Sequence, residues 1–79
     1  MSVDQRVKFR HLQCFLEIAR QQSVVKAAAA LSVTQPAVSK TIRELEELLG
    51  VALFERRGRG IALTRFGEVF LRYAGASVT

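Results

Sequence analysis

Two helical patterns separated by only three residues constrain the fold of this chain most strongly. The first covers residues 24–31 and is centred on four consecutive alanines, which favour a helix and carry no side chain beyond Cβ. Residues 32–34 form the connection, and the second pattern covers residues 35–49. Because a small-residue helix lets its neighbour approach closely, this pair is typical of a helix-turn-helix.

The pattern over residues 35–49 predicts an amphipathic helix. Thr34 can cap its start, Pro36 falls in the first turn where a missing N–H does little harm, and Gly50 suits its end. Apolar residues recur at i, i+4, i+7 and i+11, which predicts one buried face. That face consists of Val38, Ile42, Leu45 and Leu49.

The other side of this helix carries side chains suited to contact with DNA. Glutamine can pair bidentately with adenine, lysine or arginine with guanine, and serine with a base or a phosphate. In helix-turn-helix proteins the N-terminal half of the second helix enters the major groove. The candidate contacts on this helix are therefore Gln35, Pro36, Ala37, Ser39, Lys40 and Arg43. Ser23, which can cap the preceding helix, is a further candidate contact with DNA. We expect the late carboxylates to form a solvated helix end; they are Glu44, Glu46 and Glu47.

The flanking segments predict one earlier helix, a hairpin and one later helix. Residues 9–20 place apolar side chains at i, i+3, i+4 and i+7, which predicts a helix that buries one stripe. Residues 51–54 and 61–63 predict two short strands around the turn at residues 58–60. A last helix is predicted from Arg65 to about Ala74. The fold class is therefore mainly α with a small β-hairpin, a winged helix-turn-helix followed by a C-terminal helix.

The predicted hairpin is strongly basic. Arg56, Arg57 and Arg59 surround its tip, and Glu55 is the acidic residue beside them. Such a wing can lie along phosphates or reach into the minor groove. A turn that is merely solvated could also carry these charges. The position of the predicted hairpin beside a helix-turn-helix favours contact with DNA.

Composition supports a nucleic-acid partner and argues against catalysis. The formal net charge is +5, from 12 Lys and Arg against 7 Asp and Glu, which favours a polyanion. His11 and Cys14 are each the single residue of their type, so we expect neither a metal site, a cofactor nor a catalytic pair. The sequence has no spanning apolar run and no signal peptide at its start, which predicts a cytoplasmic protein without membrane association.

The ordered motifs resemble the N-terminal DNA-binding domain of LysR-type transcriptional regulators. The resemblance runs from about Phe9 to the C-terminus, and its many ordered matches, among them the run from Gln35 to Ser39, make it highly specific. Val24 and Phe66 depart from the residues that the family often has at these positions, which affects helix packing more than the fold. By this resemblance, Gln35, Pro36, Ser39 and Lys40 match major-groove contacts, and Arg56 and Arg59 match wing contacts.

The family resemblance also implies an assembly. It implies that residues 1–64 form the winged helix-turn-helix and residues 65–79 begin a linker helix that pairs two subunits. The apolar stripe of that helix is the predicted dimer interface, formed by Phe66, Val69, Phe70 and Tyr73. The operator is then an interrupted palindrome. An effector-binding domain would follow this segment, take the small-molecule inducer and support higher oligomers of the full-length protein.

A narrower resemblance points to one kind of operon. Residues 6–12, 58–61 and 67–72 look similar to regulators of protocatechuate breakdown in the β-ketoadipate pathway. This resemblance implies control of an aromatic-catabolism operon. The alternative function is a winged-helix module that binds proteins, which predicts an apolar or acidic face where this helix has polar and basic residues.

Overall fold

The computed structural model describes residues 6–78, and the side chains as far as residue 75. Four helices and a two-stranded antiparallel sheet follow one another along the chain. Their bounds are α1 Phe9–Gln21, α2 Val24–Leu31, α3 Gln35–Leu49, β1 Phe54–Arg57, β2 Gly60–Leu63 and α4 Arg65–Val78. The predicted fold class is confirmed. The outer ends of the predicted segments 1–64 and 65–79, at residues 1–5 and 79, lie outside the described residues.

Side-chain caps define the helix-turn-helix as predicted. The Ser23 hydroxyl accepts a hydrogen bond from the Lys26 N–H at 3.1 Å, which starts α2. Thr34 Oγ1 accepts from the Ala37 N–H at 3.2 Å, which starts α3. Ser32 at φ 58° and Gly50 at φ 75° end these helices in the left-handed conformation. The local sequence therefore determines both bounds of each helix.

An internal histidine caps the start of α1. The Lys8 N–H donates to His11 Nδ1 at 2.8 Å, and the His11 N–H donates to the Lys8 carbonyl at 3.0 Å. His11 Nε2 lies 3.3 Å from Glu44 Oε1 on α3. Because Nδ1 accepts a hydrogen bond, the proton of a neutral ring lies on Nε2 and points to Glu44. His11 thus joins two helices, which explains its burial.

The core lies where α1, α2, α3 and α4 meet. Phe15 is fully buried, and its ring centroid lies 5.2 Å from that of Phe54 and 5.0 Å from that of Phe70. Ala27 and Ala28 are buried on the inner side of α2. On α3 the predicted buried face is present, with Val38, Ile42 and Leu45 buried and Leu49 partly buried.

The cysteine belongs to this core. Cys14 is free and buried, as its apolar neighbourhood predicts. Burial raises the pKa of the thiol, and the side chain of Thr41 and the charge of Arg10 oppose that rise. The thiol therefore acts as a small packing group.

The first strand of the hairpin begins later than the sequence predicts. We expected residues 51–54 to form it, but β1 covers Phe54–Arg57 and pairs with β2 from Phe54 opposite Leu63 to Arg57 opposite Gly60. The backbone at Leu53 finds other partners: its N–H donates to the Glu46 side chain on α3, and its carbonyl accepts from the N–H of Thr64, the residue before α4. These hydrogen bonds take the place of strand pairing at Leu53. The period of apolar residues in the sequence does not reveal them.

Helix α4 is longer than predicted, and its apolar residues divide between two faces. Gly67, Phe70 and Ala74 turn to the core and are buried. Phe66 and Val69 remain 53% and 55% exposed, and Tyr73 is half-buried. Phe70 therefore belongs to the core of its own chain, which differs from its predicted place in a dimer interface. The physical reason is that Phe15 offers its ring an edge-on contact within the same domain.

The described part of the chain contains neither a membrane-spanning helix nor a group of metal-binding side chains. None of the helices between residues 6 and 78 combines the length and apolarity that a bilayer crossing requires. Over the same residues, His, Cys, Asp and Glu side chains do not gather in threes where a metal ion could bind.

Gly67 should tolerate no side chain, because a Cβ there would overlap the carbonyl oxygen of Leu53. We expect Gly67→Ala to lower the free energy of unfolding by about 1–3 kcal/mol, the usual cost of overpacking. Gly75→Ala in the same helix is the matched control, since its Cβ would meet nothing within 4 Å. The control should leave stability unchanged or raise it by up to about 1 kcal/mol. Urea denaturation measures both, and equal effects would contradict the packing argument.

Candidate nucleic-acid interface

The polar side of α3 forms one open surface. With Val38, Ile42 and Leu45 turned inward, the remaining positions of the first turns face outward. Ser39 is half-buried, while the others are exposed. The exposed residues are Gln35, Pro36, Ala37, Lys40 and Arg43. This helix therefore presents hydrogen-bonding groups from its N-terminal half without any competing apolar contact.

The hairpin, which we call the wing (residues 54–63), meets this surface along a groove. Ser23 from the start of α2 and Gln35 and Ser39 from α3 line one side of the groove. Arg56 and Arg59 from the wing line the other side. We call these five residues the readout groove. It brings together polar groups that lie as many as 36 residues apart in sequence, from Ser23 to Arg59, because α3 and the wing pack on a shared core.

A second part of the surface continues along α3. Arg43 and Arg56 border a shallow groove there together with Ser39. Basic side chains from the helix and the wing thus flank the same strip of protein surface. Double-stranded DNA has base edges that lie between two phosphate backbones. Positive groups on both sides of a hydrogen-bonding strip are complementary to that arrangement.

Arg57 stands apart from the other wing arginines. Successive residues of a strand point to opposite faces, so Arg57 and Arg56 diverge. Arg57 Nε donates to Glu55 Oε2 at 2.9 Å, and Arg57 borders a different groove beside Ala19 and Glu68. The structure therefore brings Arg56 and Arg59 to the readout groove and does not bring Arg57 there.

The three late carboxylates of α3 have different surroundings, which corrects the expectation of a solvated helix end. Glu44 lies 3.3 Å from His11 Nε2 and 3.7 Å from Arg10. Glu46 Oε2 accepts from the Leu53 N–H at 2.7 Å. Only Glu47 is exposed among the three. Sequence patterning missed the first two roles for different reasons. His11 lies 33 residues from Glu44, and the partner of Glu46 is a backbone amide seven residues further on, which side-chain patterning does not reveal.

The groups that this surface presents are suited to binding. His11 is buried and makes its contacts to Lys8 and Glu44, and Cys14 has a free, buried thiol on the same helix. Hydroxyl, amide and guanidinium groups line the readout groove, next to the apolar side chains of Val24, Val25 and Ile61. Hydrogen bonding and charge attraction are what this surface provides.

Comparisons with known proteins agree with this geometry. The sequence model described as "Bacterial regulatory helix-turn-helix protein, lysR family" matches residues 9–68. The HTH-type transcriptional regulator PcaQ of Agrobacterium fabrum is 69% identical over 77 residues, which cover 98% of this chain and 25% of that protein. The chain thus spans about a quarter of the length of the curated relatives it matches.

Solved structures show the same fold at substantial identity. A crystal structure of a BenM_DBD/catB site 1 DNA complex superposes with a TM-score of 0.86 at 39% identity, covering 90% of this chain and 80% of that one. DarR of Vibrio fischeri in complex with DNA has a TM-score of 0.88 at 36% identity and covers 94% of this chain and 25% of that one. The family model matches well over half of the chain and confirms the resemblance seen in the sequence. This chain belongs to the lysR family of bacterial regulatory helix-turn-helix proteins.

Proposed function

We propose that this chain binds double-stranded DNA sequence-specifically and without catalysis, as the operator-reading domain of a LysR-type transcriptional regulator. One observation carries the proposal: the readout groove places Gln35 and Ser39 on α3 beside Arg56 and Arg59 on the wing. Family membership and the DNA complexes of BenM and DarR support the same reading.

The first turns of α3 supply base recognition. The amide of Gln35 can donate and accept at once, which suits the N6 and N7 edge of adenine. The exposed Pro36 and Ala37 offer apolar surface for a thymine methyl group, and Lys40 offers a positive group for guanine or phosphate. Because these residues lie in the N-terminal half of α3, they reach the groove floor first.

The wing supplies attraction to the DNA backbone. Arg56 and Arg59 extend the positive surface beyond α3, and Arg43 continues it along the helix. Guanidinium groups in such positions bind phosphates or enter a narrow minor groove. A regulator of this kind acts in the cytoplasm, where bacterial DNA lies.

Helix α4 completes the proposal as the start of a dimerising linker helix. In this division residues 1–64 read DNA and residues 65–79 begin the linker. Phe66 and Val69 leave apolar surface open on α4, with the half-buried Tyr73 on the same side. A second copy that covers this surface gives a two-fold dimer, whose two recognition helices read an interrupted palindrome.

The regulated genes follow from similarity alone. The identity with PcaQ and the sequence resemblance to regulators of protocatechuate breakdown support an aromatic-catabolism operon as the target. The inducer and the higher oligomer then belong to the part of the regulator that this chain does not include. The competing function, a protein-interaction module, lacks support from α3, whose outward face is polar and basic.

Base reading by Gln35 is tested by selecting a preferred duplex from random sequence and titrating variants on it. We expect Gln35→Ala or Ser39→Ala to cost about 1–3 kcal/mol on the selected duplex and far less on a scrambled one. Gln13→Ala is the matched control, because Gln13 is an exposed glutamine on α1. Equal losses on both duplexes for Gln35→Ala would refute base reading. If the selection enriches no duplex and the chain binds a protein instead, the protein-interaction module is favoured.

The wing arginines should separate in salt titrations of the same duplexes. We expect Arg56→Ala and Arg59→Ala each to reduce the slope of log K against log salt by about 1, through lost contacts to the DNA backbone. Arg57→Ala should leave the slope nearly unchanged, because Arg57 pairs with Glu55 on the other face of the wing. Equal slopes for all three variants would contradict the positions that the structure assigns.

The exposed side of α4 is tested by sedimentation at high protein concentration, with and without the selected duplex. We expect Val69→Asp to weaken self-association by about tenfold or more, because it buries a charge at an apolar contact. Val33→Asp, at an exposed valine outside α4, is the control and should associate like the parent chain. A parent chain that stays monomeric even on a palindromic duplex would contradict the dimer.

A further inference from the structure

The segment from which the wing starts takes its hydrogen bonds from α3. We call residues 52–54 the wing root. Leu53 is fully buried there, and its N–H donates to Glu46 Oε2 at 2.7 Å. The Phe54 N–H lies 3.4 Å from the same oxygen. Strand pairing begins only at Phe54, so Glu46 supplies the acceptor that the buried Leu53 amide needs.

Thr64, which precedes α4 and caps its start, holds the wing root from the other side. The Thr64 N–H donates to the Leu53 carbonyl at 2.9 Å, and Thr64 Oγ1 donates to the Ala52 carbonyl at 2.6 Å. Phe54 pairs with Leu63, the last residue of β2. Both ends of the wing therefore meet at one point, where polar groups from α3 and from Thr64, the residue before α4, satisfy the backbone.

The contact with Glu46 ties the wing to the same helix that carries Gln35 and Ser39. Arg56 follows the wing root by two residues on β1, and Arg59 lies in the turn that β1 leads to. A shift at the root moves both arginines relative to α3, because a short paired hairpin moves as a unit. The position of Glu46 thus bears on how the two sides of the readout groove are spaced.

We propose that Glu46 is a positioning residue that sets Arg56 and Arg59 against the recognition helix and so determines their contribution to DNA binding. The inference rests on the proposed function. Glu46 also borders the groove of Arg43 and Arg56, and a carboxylate beside a DNA-binding surface opposes phosphates by its charge. Its geometric effect must therefore be separated from its charge.

Three substitutions make that separation. Glu46→Gln keeps an oxygen acceptor at the same reach and removes the charge. Glu46→Asp keeps the charge but is one methylene shorter, which withdraws the oxygen from the Leu53 N–H. Glu47→Gln is the matched control, because it removes a charge from the exposed neighbouring carboxylate.

The experiment is a set of double-mutant cycles with Arg59→Ala, measured on the fluorescein-labelled duplex recovered by selection. We expect Arg59→Ala to weaken binding about tenfold in the parent chain, in Glu46→Gln and in Glu47→Gln, since a charged contact is lost each time. In Glu46→Asp the same substitution should cost about twofold or less, because the wing is already displaced. Such non-additivity is the signature of positioning.

Additive losses would overturn the inference: a tenfold cost of Arg59→Ala that persists in Glu46→Asp means that the wing keeps its place. Amide hydrogen exchange gives a readout independent of DNA. Faster exchange at Leu53 in Glu46→Asp, with unchanged exchange at Val38 and Leu45, supports positioning, whereas acceleration throughout the core overturns it. A parent chain that binds no duplex overturns the proposed function itself, while its Leu53 exchange would still report on the contact.

Discussion

The packing of Phe15 against two other aromatic rings is the interaction on which the remaining structure depends. Phe15 lies on α1, yet its ring meets Phe54 at the start of the wing and Phe70 on α4. Each large apolar side chain that is buried contributes about 1.5–3 kcal/mol, and each aromatic pair adds about 0.5–1.5 kcal/mol. In so small a domain, these contacts decide where both the wing and α4 lie relative to the helix-turn-helix.

Small residues complete that arrangement by permitting close approach. Ala27 and Ala28 let α2 lie against the core, and Gly67 lets α4 pass directly over the Leu53 carbonyl. The binding surface is the outcome of this compact core: α3 buries its aliphatic side, so its polar side faces the same direction as two wing arginines. Gln35 and Ser39 stand on a helix, and side chains on such a rigid element lose less entropy on binding.

Acidic residues in this basic domain serve structure more than solvation. Glu44 contacts His11 and Arg10, which links α1 to α3, and Glu46 accepts hydrogen bonds from the backbone at the start of the wing. Glu55 pairs with Arg57 at the surface of the wing. Charge counting at the level of the sequence cannot distinguish these uses, because it treats every carboxylate as a solvated group.

The sequence by itself determined the helices, their caps and the polar face of α3. Ser23, Thr34 and Gly50 act through atoms within a few residues, and the period of apolar residues along α3 names its buried side directly. Tertiary structure decided the rest: the late start of β1, the burial of Phe70, the separation of Arg57 from Arg56, and the roles of His11 and Glu46. The physical reason is that these outcomes depend on partners brought close only by folding, and no local period or capping pattern encodes which distant group will satisfy a given amide, ring or charge.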